Sequence, residues 1–147
     1  MKIVFFVFSV LALLVSCTWA QITFGDCAVF PPQFTVNTGG FSVAPYPICR
    51  NKNMCVTATG SLSTPIVSGA KFSITGTYLG RLVYSDEQNL CSILADYGIW
   101  CPVATYRSSL TICVLVKSSV PLNVYMAMKF LATNGDGNII FCQTSKH

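Results

Sequence analysis

The stretch NVYMAMKFLATNGDGNIIFCQT (residues 123–144) decides how this chain folds. Two runs rich in apolar, β-branched and aromatic residues, 123–133 and 138–144, flank Asn134-Gly135-Asp136-Gly137. Asn-Gly and Asp-Gly steps accept the positive φ of tight hairpin turns, so the stretch predicts two antiparallel strands. NGDGN also opens like a calcium loop. Its oxygen ligands do not recur at the required spacing and no glutamate closes it, so a turn is expected and no metal.

Moving outward, the same period of two recurs. KFSITGTY (71–78) places Phe72, Ile74, Gly76 and Tyr78 on one face and Lys71, Ser73, Thr75 and Thr77 on the other. VTATGSLS (56–63) divides Val56, Ala58, Gly60 and Leu62 from Thr57, Thr59, Ser61 and Ser63. Both predict strands with one wet face. SLTICVLVK (109–117) is apolar nearly throughout, which predicts a strand covered on both sides. Prolines at 31, 32, 45, 47, 65, 102 and 121 punctuate the strand ends. With little helical periodicity and no repeat, the expected fold is all-β, an antiparallel β-sandwich.

The first twenty residues, MKIVFFVFSVLALLVSCTWA, have the layout of a secretory signal peptide. Lys2 precedes an apolar run, and Thr18 and Ala20 stand at small-residue cleavage positions; the run is short for a membrane span. Residues 21–147 are then one domain, secreted or lumenal. The chain carries nine Lys/Arg against five Asp/Glu, a formal net charge of +4, thinly scattered. The densest cationic pair is Arg50 with Lys52, so nucleic acid is not an expected partner.

Groups for catalysis are scarce. The acids are Asp26, Asp86, Glu87, Asp96 and Asp136, and only Asp86 and Glu87 adjoin. Neighbours in a strand point to opposite faces, so that pair reads as a turn rather than an active site. The one histidine, His147, is terminal, which leaves no Ser-His-Asp or Cys-His arrangement to assemble. No glycine-rich phosphate loop occurs. No enzymatic activity and no cofactor are expected.

Once the leader is removed, Cys27, Cys49, Cys55, Cys91, Cys101, Cys113 and Cys142 remain. Seven cysteines with one left over allow on the order of a hundred pairings. Cys49 and Cys55 bracket a polar loop, Cys91 and Cys101 bracket SILADYGIW, and Cys27 and Cys142 are placed to join first strand to last. Cys113 sits in a strand interior, where a small buried thiol is expected. Zinc-ligand spacing and C-x-x-C are both absent, so these cysteines read as staples rather than metal or redox sites.

Two apolar stripes are left without an assignment. Val124, Met126, Met128 and Phe130 line one face of the 123–133 run; Leu110, Ile112, Val114 and Val116 line one face of the strand before it. Methionine is flexible and polarisable enough to grip a variable apolar guest, but the same stripe also fills a solid core. Periodicity alone leaves both readings open.

The arrangement resembles the ML lipid-recognition domain family, which includes fungal phosphatidylglycerol/phosphatidylinositol transfer proteins and the Niemann–Pick type C lysosomal sterol-transfer protein. The resemblance rests on Gly25-Asp26-Cys27, the short Cys49–Cys55 loop and Ser68-Gly69-Ala70-Lys71. It rests further on Leu90-Cys91 leading to Cys101-Pro102-Val103, the turn Val116-Lys117-Ser118-Ser119-Val120-Pro121, and Cys142. It implies an immunoglobulin-like sandwich with an apolar cavity between its sheets, and the pairs Cys27–Cys142, Cys49–Cys55 and Cys91–Cys101. The cavity would be lined by Phe72, Ile74, Tyr78, Leu110, Ile112, Val114, Val124, Met126, Met128 and Phe130. Val83, Tyr84, Trp100, Val103, Val116 and Val120 would form its entrance, with Tyr97 and Ile99 beside Trp100 at the rim. The implied protein is a monomeric carrier of a phospholipid, phosphatidylinositol or phosphatidylglycerol, or else of a sterol. It would touch membranes transiently, outside the cell or in the endomembrane and vacuolar-lysosomal lumen. A recognition module without transfer activity is the expectation from another class.

Overall fold

The computed structural model describes residues 22–122 and 124–146; the expected signal peptide, 1–20, lies outside the described residues. Eight strands and one short helix follow in order: β1 Thr23–Asp26, β2 Phe34–Ala44, β3 Asn53–Leu62, β4 Lys71–Tyr78 and β5 Arg81–Asn89. Then come α1 Leu90–Ala95, β6 Ser109–Leu115, β7 Ala127–Thr133 and β8 Ile139–Lys146. A five-stranded sheet, β1-β8-β7-β4-β5, faces a three-stranded sheet, β2-β3-β6, and every pairing is antiparallel. This is the β-sandwich that the alternation predicts.

The period-two faces turn inward as read. Phe72, Ile74 and Gly76 of β4 meet Val56, Ala58, Gly60 and Leu62 of β3 across the interior, and all are buried. Burial of these faces removes apolar surface from water at roughly 25 cal/mol per Å² and is the main force closing the sandwich. Gly60 is needed for another reason. A Cβ there would stand 1.9 Å from the Thr35 carbonyl oxygen, so β2 crosses β3 where no side chain can be accommodated. Just beyond, the β2–β3 register shifts between Val36 and Phe41, and this bulge turns Phe41 into the core.

An aromatic web ties the layers. Phe41 of β2 packs its ring on Phe24 of β1, Phe130 of β7 and Phe141 of β8 at centroid distances of 5.1, 5.7 and 5.8 Å. Phe72 stacks on Phe130 at 6.5 Å. At the β7–β8 turn, the Asn134 amide donates to Gln33 and to the Pro65 carbonyl, and its oxygen accepts from Val67 and Gly135. The residue read from sequence as a turn former thus also stitches three loops.

Several expectations are corrected. The apolar insert of LCSILADYGIWCPV begins with a helix, α1, whose Leu90, Ile93 and Leu94 are buried at helical spacing while Asn89 caps it through Ser92 N–H at 3.0 Å. A helix this short leaves too few periods to be seen in sequence. β7 begins at Ala127 rather than at 123. The outward face of β6 is not covered throughout, since Leu115 is exposed. Asp86 and Glu87 lie within β5, not in a turn, and only Asp86 points inward.

Cys27–Cys142 and Cys91–Cys101 are bonded, but the third pair is Cys55–Cys113, not Cys49–Cys55. Cys55 and Cys113 are direct cross-strand partners of β3 and β6, with Cα atoms 4.0 Å apart, on the outward face of the smaller sheet. Cys113 is therefore not a thiol, and Cys55 is not bonded to Cys49. The loop bracket was visible in sequence; the strand register that opposes 55 to 113 was not.

Gly60→Ala is expected to lower unfolding free energy by about 1–3 kcal/mol, the usual cost of overpacking, because the obstructing atoms are backbone. Urea denaturation followed by tryptophan fluorescence measures it; an unchanged midpoint would contradict the close β2–β3 crossing.

Candidate functional site

The strand directions give the sandwich two unlike ends. The β4–β5 turn, the 45–52 loop and the 116–126 connection gather at one end. The helix α1, the 99–108 loop and the β7–β8 turn gather at the other. The seven residues of β6 separate the ends by roughly 20 Å.

The residues expected to line a cavity divide accordingly. Phe72, Ile74, Leu110, Ile112, Val114, Met126, Met128 and Phe130 are buried between the sheets, and Val124 packs against them half-buried. Leu110, Ile112 and Phe130 have no accessible surface at all, so no water-sized space touches them. Tyr78 continues the β4 face beyond the sandwich and is exposed. The two methionine sulfurs stand over Gly76, where a Cβ would come within 2.9 Å of Met126 and 3.3 Å of Met128.

The expected entrance is not one place. Val83, Tyr84, Val116 and Val120 lie toward the β4–β5 end, whereas Trp100 and Val103 lie at the α1 end, where Val103 bridges to Ile66. Tyr84, Val103, Val116 and Val120 are buried. Loop spacing in sequence carries no information on which end of a strand a loop returns to.

The 116–121 connection is held to both sheets. Val116 exchanges backbone hydrogen bonds with Asn51 and Lys52, and Arg50 Nε donates to the Val120 carbonyl at 2.7 Å, tying it to the smaller sheet. Lys117 N–H donates to Tyr84 Oη at 3.3 Å, and Lys117 Nζ pairs with the buried Asp86 carboxylate, tying it to β5. Gln88 Nε2 donates to the other Asp86 oxygen at 3.0 Å. Hydrogen bonding to Asp86, then its charge, holds the Lys117 ammonium above the ordinary lysine range. Burial raises the Tyr84 phenol above its ordinary value, partly offset by the Lys117 backbone bond.

Open space lies along the opposite long edge. A groove of about 1010 Å³ runs between β1 and β2, walled by Ile22, Phe24, Val36, Phe41, Val43 and Tyr46. Asp26, Asn37, Thr38, Ser42 and Gln143 supply its polar rim. Phe24 and Phe41 belong to the aromatic web, so the groove floor is the edge of the core itself. Tyr46 stands 6.0 Å from Phe24 at 89°; burial raises its phenol, offset by a hydrogen bond with Ser145. None of these wall residues was singled out from sequence. The bulge over Asn37–Gly40 breaks the alternation of β2, and the four residues of β1 are too few to show a period.

A sequence profile of the ML domain matches residues 21–146. The chain belongs to the ML-domain family. A Niemann-Pick type C2 protein from the Japanese carpenter ant superimposes with a TM-score of 0.60 at 15% identity, over 84% of this chain and 96% of that one. Chicken MD-1, solved as a complex with lipid IVa, superimposes with a TM-score of 0.50 at 14% identity, over 83% and 84% of the two chains. A comparison with curated protein sequences returns no match. This ML domain, with three disulfides among its described residues, has the lipid-binding fold of its family and the cross-links of an extracellular or lumenal protein.

Lys117→Met is expected to destabilise the domain more than Lys52→Met, since it leaves the buried Asp86 with Gln88 alone. Asp86 raises the Lys117 pKa in the folded state, so the contribution is complete below the ordinary lysine pKa and is lost as pH rises through the raised value. Urea midpoints measured against pH should show the gap between variant and parent at neutrality and its closure only in strong alkali.

Proposed function

We propose that this ML domain is a non-enzymatic lipid carrier, sheltering the acyl part of one phospholipid and moving it between membranes outside the cell or in the endomembrane lumen. The observation that carries this reading is the groove between β1 and β2, whose apolar wall is continuous with the inter-sheet core. Each acyl methylene removed from water contributes about 0.8 kcal/mol, enough for tight binding without many polar contacts. Behind the wall, Met126 and Met128 over Gly76 are the side chains that repack with least resistance, so the tail extends toward them as the sheets ease apart.

The rim favours a head group rich in hydroxyls. Asp26, Asn37, Thr38 and Gln143 offer hydrogen-bond acceptors and donors, and no lysine or arginine among the described residues lines the groove. Phosphatidylinositol and phosphatidylglycerol meet this condition, with the phosphate directed outward. The complex of chicken MD-1 with lipid IVa supports the general idea that this fold holds acyl chains.

The test is extraction and mass-spectrometric identification of the lipid bound to protein isolated from its own secretory pathway, followed by transfer between labelled vesicles. A phospholipid is expected at one per chain, and a sterol in its place would move the ligand class. A protein that emerges empty and takes nothing from vesicles would sink the carrier reading and leave a recognition module. Val43→Trp, which fills the groove, is expected to lower bound lipid and transfer by at least about tenfold, the loss of one well-buried contact. Unchanged loading would move the site away from β1 and β2.

A further inference from the structure

We infer that the β4–β5 end of the sandwich is a docking face for anionic phospholipid bilayers. Its evidence is independent of the carrier reading, although it gives that carrier a place to load. The first observation is the turn between β4 and β5. Tyr78 pairs with Arg81, and Leu79 and Gly80 between them have φ of 51° and 74°. A two-residue hairpin turn with both central φ values positive suits Asn-Gly, whereas leucine is costly in the left-handed region. Leu79 recovers nothing by burial, being 84% exposed. The fold alone does not account for a leucine there; a surface that receives it does.

The second observation is what stands beside it. The β4–β7 pairing of Thr77 with Ala127 brings the 122–126 segment to the same end, where Tyr125 is 82% exposed and Leu122 and Leu82 also face solvent. The bonds from Arg50, Tyr84 and Asp86 hold the 116–121 connection that leads into this segment. An apolar cluster on a rigid support, with an aromatic ring among leucines, has the composition of an interfacial contact.

Charge selects the partner. Arg50, Lys52, Arg81 and Lys117 gather at this end, the Asp86 carboxylate is buried beneath Lys117, and the exposed Asp26 and Glu87 stand level with Asp86 or farther from the turn. The α1 end also exposes apolar rings, Phe30, Tyr97, Trp100 and Tyr106. It carries Asp96 and Asp136, however, and its Arg107 lies over the Tyr106 ring at 5.5 Å. An anionic bilayer attracts the first end and is opposed by carboxylates at the second. The Trp100 rim expected from sequence is thus the less suitable face.

Co-sedimentation of the processed protein with phosphatidylcholine vesicles, with and without phosphatidylserine, tests the inference. Binding is expected only with phosphatidylserine and should weaken as salt rises. Leu79→Asn should weaken it about tenfold, the loss of one leucine from an apolar phase, while raising the thermal midpoint, because asparagine suits the turn. Arg81→Glu should weaken it at least as much. A purely structural role for Leu79 would move stability and binding together, so opposite signs separate the two. Absence of binding to anionic vesicles overturns the proposal, as does weakening by Trp100→Ser with none by Leu79→Asn. So does concentration-dependent self-association that Leu79→Asn abolishes without any vesicle binding. Protein that docks in this way yet yields no extracted lipid would refute the carrier reading and leave the docking face standing.

Discussion

The ring of Phe41 is the contact on which the arrangement of this ML domain turns. It comes from the smaller sheet and meets Phe24, Phe130 and Phe141 of the larger one, so one side chain joins β2 to three strands across the interior. Edge-to-face aromatic pairs of this kind contribute about 0.5–1.5 kcal/mol each beyond the area they bury, and they are directional. Direction matters here, because β2 and β1 are edge strands of unequal sheets and no hydrogen bond ladder links them. Packing alone sets how far apart those edges stand. The groove lies where that packing stops.

The two long sides of the sandwich are closed by different physics. Between β5 and the connection that follows β6, closure is polar: Tyr84 to Lys117 and Lys117 to Asp86, with Arg50 holding the Val120 carbonyl. A buried carboxylate with two partners tolerates little displacement, since losing either leaves charge in an apolar setting. Along β1 and β2, closure is by aromatic and aliphatic surface, which can be exchanged for an acyl chain with little change in hydration. A lipid-binding fold needs one side that holds and one side that yields. In the carrier proposed for this chain, the polar edge holds and the apolar edge yields.

The disulfides follow the same division of labour. Cys27–Cys142 joins β1 to β8, next to the groove, so the outermost strand of the larger sheet is anchored where packing is thinnest. Cys55–Cys113 lies on the outward face of the smaller sheet and takes no part in the interior. Cys91–Cys101 holds the α1 segment, whose buried Leu90, Ile93 and Leu94 cover one end of the core. In the loop-entropy picture such cross-links stabilise by about 3 to 5 kcal/mol each, a substantial share for a domain of this size.

Much was legible in the residues themselves. Alternation in 56–63 and 71–78, and the Asn-Gly-Asp-Gly turn, are local properties of the chain, and they determined an antiparallel all-β fold and its inward faces. Scarce acids and a single terminal histidine were equally plain, because composition needs no coordinates. Tertiary structure decided what depends on register and on which end a loop returns to. It opposed Cys55 to Cys113, sent Val116 and Val120 to one end and Trp100 to the other, and turned Asp86 inward onto Lys117. It also placed Phe24 and Phe41 together as a groove wall, although one sits in a four-residue strand and the other follows a bulge. Periodicity records which face of a strand a residue occupies. Which face of another strand it meets is settled only when the sheets pack.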